Sequence, residues 1–188
     1  MCVNRLKMRN LFLLLAVSFI FIFPNTSLAK DENVGPFGLN VGKDTFDTLK
    51  NEFDEYNCDY NQHSAITLGV LVKCSSRNFD FDGLLGDVLL IFSDDNRLDA
   101  AVLAISKHKF DSILSSLSSK YKIIQKHKQF VGDAYAKLKG GNINIVLQAP
   151  HLSFEMSLIY STDNFDKKLK KHTQQEQQEQ KSKQRKKL

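Results

Sequence analysis

"TFDTLKNEFDEY" (residues 45–56) returns in altered form as "KFDSILSSLSSKY" (109–121), and the same opening appears a third time in "NFDKKLKKH" (164–172). In the first two, apolar side chains recur at helical spacing: Phe46, Leu49 and Phe53 in one, Phe110, Ile113, Leu114 and Leu117 in the other. Each predicts an amphipathic helix with one stripe facing a core. Asp44 is the expected N-cap of the first, with Asp47 three residues on completing a capping box.

Four strand patterns follow each helix. After the first come "YNCDY" (56–60), "AITLGVLVKC" (65–74), "DVLLIFS" (87–93) and "LDAAVLAIS" (98–106), the last two joined by the polar tetrad "DDNR", which reads as a hairpin turn. After the second come "KIIQKHKQF" (122–130), "DAYAKLK" (133–139), "INIVLQA" (143–149) and "SFEMSLIYS" (153–161). "GGN" (140–142) supplies a tight turn and Pro150 a break before the last strand. In "DAYAKLK", Asp133, Tyr135, Lys137 and Lys139 alternate with Ala134, Ala136 and Leu138, the pattern of a strand with one solvated face. The fold class is therefore α+β: two successive α-β-β-β-β units, pseudo-repeats over about 37–106 and 107–161, forming an antiparallel meander sheet with its helices on one face. The other face is left for water or a partner.

The ends differ from this body. Arg5, Lys7 and Arg9 precede "LFLLLAVSFIFIF" (11–23), an uncharged run of 13 residues, then Pro24 and the small residues Ser27 and Ala29. This is the pattern of a secretory signal peptide over 1–29, cleaved between Ala29 and Lys30. The run is shorter than the roughly 18–20 residues of a spanning helix, and no later stretch is long and apolar enough to cross a membrane. The expected destination is the periplasm or the exterior, with one domain over 30–164.

The formal charge of +5 sums unlike pieces. Residues 30–164 carry 14 basic and 18 acidic side chains, whereas 165–188 carry 9 and 3. The body is mildly acidic, so a nucleic-acid partner is not expected. The tail, with a glutamine-rich centre and only two leucines, lacks the apolar residues to fold alone and is expected to be disordered or a fraying helix. Its cations, Lys167, Lys168, Lys170, Lys171, Arg185, Lys186 and Lys187, are candidate contacts to an anionic surface. Of three cysteines, Cys2 leaves with the signal segment, and the remaining pair, Cys58 and Cys74, is the expected disulfide of an exported domain.

Catalytic patterns are sparse. There is no G-x-S-x-G, no H-E-x-x-H and no phosphate-binding glycine loop, and the five histidines form no i, i+4 pair. His151, with Glu155 four residues on, is the weak candidate for a small hydrolase. Asp80, Asp82 and Asp87 in "FDFDGLLGD" fit an EF-hand calcium loop poorly, because Gly83 stands at the fourth place and leucines follow. No cofactor, metal site or catalytic residue is expected.

"FGLNVGKDTFDTLKNEF" together with "LLIFSDDNRLDAAVL" resembles a loose group of small bacterial envelope proteins built from helix-plus-meander units, among them the β-lactamase inhibitory protein and the small lipoprotein of the outer-membrane β-barrel assembly machinery. The tandem arrangement is more similar to the inhibitory protein. That resemblance implies a long antiparallel sheet whose bare face grips a protein partner in the cell envelope. It carries over no binding residue, and the lipidated cysteine of the assembly lipoprotein has no counterpart here. The expectation is a non-enzymatic binding protein, an inhibitor or immunity protein being one subclass. The alternative is an envelope assembly or structural factor held by its basic tail. Oligomeric state is not readable from the sequence.

Overall fold

The computed structural model of the protein describes residues 33–128 and 132–185. The signal segment, the expected cleavage pair Ala29 and Lys30, the end of the fifth strand pattern at 129 and 130, and the tail cations Lys186 and Lys187 lie outside the described residues. The elements run α1 (Phe46–Glu55), β1 (Asp59–His63), β2 (Leu68–Cys74), β3 (Val88–Ser93), β4 (Leu98–Ser106), α2 (Phe110–Ser118), β5 (Lys122–Lys128), β6 (Ala134–Gly140), β7 (Ile143–Ala149), β8 (Glu155–Thr162) and α3 (Asp163–Arg185). This is an α+β fold, and its strands form one antiparallel sheet in the order β1-β2-β3-β4-β8-β7-β6-β5.

The two meanders join through their last strands. β4 and β8 pair without a register break from Ala100↔Ser161 to Ser106↔Glu155, so the first strand of each meander becomes a sheet edge. The β5 edge carries Lys122, Lys126 and Lys128 and a bulge between Ile123 and Gln125, both of which discourage edge-to-edge association.

α1 and α2 cover the same face. Leu49 and Phe53 of α1 and Phe110, Leu114 and Leu117 of α2 pack into one cluster with Val72, Leu90, Leu103, Leu138, Ile145, Leu147 and Leu158 from six strands. Several of these are fully buried, each contributing about 1.5–3 kcal/mol.

Local differences from the sequence reading have specific causes. Thr45, not Asp44, caps α1: its backbone is extended, its Oγ1 accepts the Thr48 N–H at 3.3 Å, and Thr48 Oγ1 accepts the Thr45 N–H at 3.1 Å. Asp44 is taken one turn earlier, where its carboxylate accepts the Asn40 backbone N–H at 2.7 Å. Asp47 accepts from the Asn96 side-chain amide at 2.6 Å, which ties α1 to the β3–β4 turn. β1 begins at Asp59 rather than Tyr56, because Tyr56 caps the helix and Asn57 takes φ 51°. β2 starts at Leu68, since 64–67 form a turn held by Thr67, whose hydroxyl donates to the Phe92 carbonyl at 2.6 Å.

The larger correction concerns the third helix. The segment from 165 onward was expected to be a disordered or fraying tail, but Phe165 is 3% exposed and packs on Ile91 and Ala100, whose side chains point away from α1 and α2. Its first turn therefore docks on the opposite face. Beyond it α3 continues as one helix through Arg185.

Cys58 and Cys74 form a disulfide beside the Asp59↔Lys73 pair, closing the open end of the β1–β2 hairpin onto the C-terminus of α1. Replacing both by alanine should cost on the order of 3 kcal/mol, the chain-entropy value for a loop of about 15 residues. Urea unfolding of the oxidised protein against the double variant checks this, and equal midpoints would contradict it.

Candidate binding face

The face opposite α1 and α2 is organised by strand register into rows. Across the middle of the sheet the pairings Lys73↔Leu89, Leu89↔Val102, Val102↔Ile159, Ile159↔Val146 and Val146↔Lys137 place six side chains in line. Four adjacent strands thus present Leu89, Val102, Ile159 and Val146 as an aliphatic ladder, closed at each end by a lysine. At ~4.8 Å between strands the line from Lys73 to Lys137 is about 24 Å long. All six side chains are partly exposed.

On one side lies the row Leu71, Ile91, Ala100, Ser161, Asn144, Lys139, and this is where α3 docks. Phe165 covers the apolar end. A polar network covers the other: Asn144 Nδ2 donates to Asp163 and Asp166 at 2.8 Å each, Ser161 Oγ donates to Asp166 at 2.7 Å, and Lys139 Nζ meets Asp163 at 2.9 Å. The Lys139 ammonium and the Asn144 amide hold the Asp163 carboxyl below the usual range. On the far side of the ladder Ala104, Ser157, Gln148, Tyr135 and His127 form a more polar row. An antiparallel sheet with one solvated face would show polar side chains along the middle row. Here that row is aliphatic and partly exposed, with Val102 also packed against the Ile91, Ala100 and Phe165 cluster.

Asp99 sits beneath the start of α3. It is 5% exposed; Oδ1 accepts from the Thr162 hydroxyl at 2.9 Å, and Oδ2 has no hydrogen-bond partner. Thr162 in turn accepts the Phe165 N–H at 3.0 Å, so Asp99 orients the group that caps α3. Burial pushes the Asp99 carboxyl up; the Thr162 bond and the nearby Lys168 oppose this, while Asp95 and Asp94 reinforce it. A folded-state value above the unfolded one means the native state holds the proton more tightly. The resulting stabilisation is complete in acid and is lost as pH rises through the raised value. Asp99→Asn should therefore melt higher than the parent at neutral pH, with the gap shrinking as pH falls from the raised value and closed below the ordinary carboxylate pKa of about 4. Thermal melts across pH check this, and a gap that does not vary with pH would contradict it.

The other candidate residues are placed as follows. Lys168 braces the helix on Asp94 at 3.1 Å, whereas Lys167, Lys170, Lys171 and Arg185 are exposed. What the fold uses of His151 is its backbone: the N–H donates to Asp133 at 2.6 Å and the carbonyl accepts from Lys107 at 3.0 Å. Asp82 is paired with Lys109, and among the described residues no three His, Cys, Asp or Glu side chains group closely enough to hold a metal. No helix among them is long and apolar enough to cross a membrane.

The ladder was not singled out from the sequence, although a signal for it exists. "VLLIFS" and "LDAAVLAIS" are apolar at nearly every position rather than at alternate ones, the mark of strands covered on both faces. None of the family models, curated proteins or solved structures compared with the chain matches it.

Proposed function

We propose that this is an exported, non-enzymatic binding protein whose open sheet face grips a protein partner. The observation that carries the reading is the partly exposed aliphatic ladder Leu89–Val102–Ile159–Val146 across four adjacent strands, with Lys73 and Lys137 at its ends. A contiguous apolar strip rimmed by polar groups is a common form of protein-interaction surface. The cations at its ends favour a partner with an apolar centre and acidic flanks. The disulfide supports export, because such bonds persist in oxidising compartments.

The finer organisation, two α-β4 units related by a two-fold axis between β4 and β8, belongs to the same reading. Its support is the strand order, the antiparallel β4–β8 pair and the shared face of α1 and α2. This arrangement favours the likeness to the inhibitory protein over the assembly lipoprotein, and so an envelope enzyme as the partner class.

The test is a capture from envelope extract with two baits, the parent and Val146→Lys/Ile159→Lys. Both positions are partly exposed, so the variant should keep its melting transition. One protein retained stoichiometrically by the parent and lost from the variant supports the reading. Equal retention by both, or nothing above background, counts against it.

A further inference from the structure

α3 carries most of its cations on one side. Positions 167, 171, 174, 178, 181 and 185, spaced 4, 3, 4, 3 and 4, form one stripe: Lys167, Lys171, Gln174, Gln178, Lys181 and Arg185, with Lys170 beside it. Positions 165, 169, 172, 176, 179 and 183, two residues out of phase and thus about 200° round the helix, form the other: Phe165, Leu169, His172, Glu176, Glu179 and Lys183. The second stripe starts on the sheet, where Phe165 is buried, and both glutamates of the distal helix lie on it, Glu176 within 3.7 Å of His172. The four cations of the first stripe and Lys170 beside it are all exposed, and among the described residues none is in an ion pair.

From this we infer that the outer stripe of α3 is a docking face for an anionic phospholipid surface, with the helix lying flat on the headgroups. It carries no apolar side chain, so the contact is electrostatic and does not insert. The cations fall into two groups, Lys167, Lys170 and Lys171 near one end and Lys181 and Arg185 near the other, separated by about 15 Å of glutamine-bearing helix. A linear polyanion with fixed phosphate spacing would leave phosphates unpaired across that gap. In a fluid bilayer the anionic lipids collect beneath each group, so the uneven spacing is met by lipid rearrangement at a modest demixing cost. This deepens the role expected of the basic tail and is independent of the sheet face, whose partner could be lost without affecting it.

The test is flotation of the full chain with phosphatidylcholine vesicles, with and without phosphatidylglycerol, at low and high salt. Parent and variants share the same N-terminus, so binding to neutral vesicles reports anything contributed there. Each cation near an anionic surface is worth roughly fivefold in partitioning. Lys167→Gln/Lys171→Gln/Arg185→Gln should therefore reduce anionic binding about a hundredfold, with the helix kept because glutamine is a good helix former. Lys50→Gln/Lys122→Gln/Lys126→Gln removes the same charge elsewhere and should change binding only a few-fold. High salt should release the parent. Equal binding to neutral vesicles, an unaffected α3 variant, or an equal loss in the control variant would overturn the inference. So would tighter binding to long-chain polyphosphate than to vesicles, lost in the same α3 variant, which would assign the face to a soluble polyanion.

Discussion

Phe92→Ala should lower the free energy of unfolding by about 3–5 kcal/mol. Phe92 is fully buried in β3, and its ring meets those of Phe46 and Phe53 at centroid distances of 5.6 and 6.0 Å, both edge-on. Those two rings belong to α1, and Phe46 also meets Tyr60 of β1. Truncation thus removes the side chain on which α1 rests and leaves a cavity bounded by a helix and a sheet, neither of which can collapse far. The Phe92 carbonyl also anchors the 64–67 turn through Thr67, but alanine keeps that bond, so the loss measures packing alone. Chemical denaturation checks the figure. Ile124→Ala, at a site 55% exposed on the β5 edge, should stay within about 0.5 kcal/mol. A Phe92→Ala loss below about 1 kcal/mol would contradict the packing of α1 described above.

Phe165→Ala should have the second large effect, of a different kind. A 23-residue helix with one apolar anchor has little to hold it except its first turn and the Lys168–Asp94 ion pair. Most helical stability in proteins comes from packing an apolar face, and beyond Phe165 this helix has little of one. Removing the ring deletes contacts to Ile91 and Ala100, at a cost of about 3–4 kcal/mol against docking. The Asn144, Ser161 and Lys139 bonds to Asp163 and Asp166 are then left without the apolar contact beside them. Because α3 holds 23 helical residues against 10 in α1 and 9 in α2, its undocking should remove more than half of the helical circular-dichroism signal while the strand signal persists. An unchanged helical signal would show that α3 does not depend on the sheet.

Most of the fold was legible because its elements carry clean periodicities. β4 and β7 match their sequence ranges to the residue, and the helix stripes of α1 and α2 both face the core. The ends of elements were less so, since they are set by single hydrogen bonds: Thr45 competes with Asp44 for the cap, and Asn57 turns the chain before β1 can start. The joining of the two meanders was not legible, because β4–β8 pairing bridges residues 49 to 61 positions apart and leaves no local mark. The role of Phe165 was hidden for a related reason. One aromatic in a polar segment has no periodicity, and only the apolar outward positions of β3 and β4 show that something must cover them. Those same positions, followed across to β8 and β7, are what make the candidate face.

The most direct measurement is site-specific photo-crosslinking in envelope extract, with the photoreactive residue placed at Val146 on the ladder in one protein and at Glu52 on the exposed side of α1 in another. The account predicts one discrete adduct from Val146 and none from Glu52; the same adduct from Glu52, or none from Val146, would contradict it.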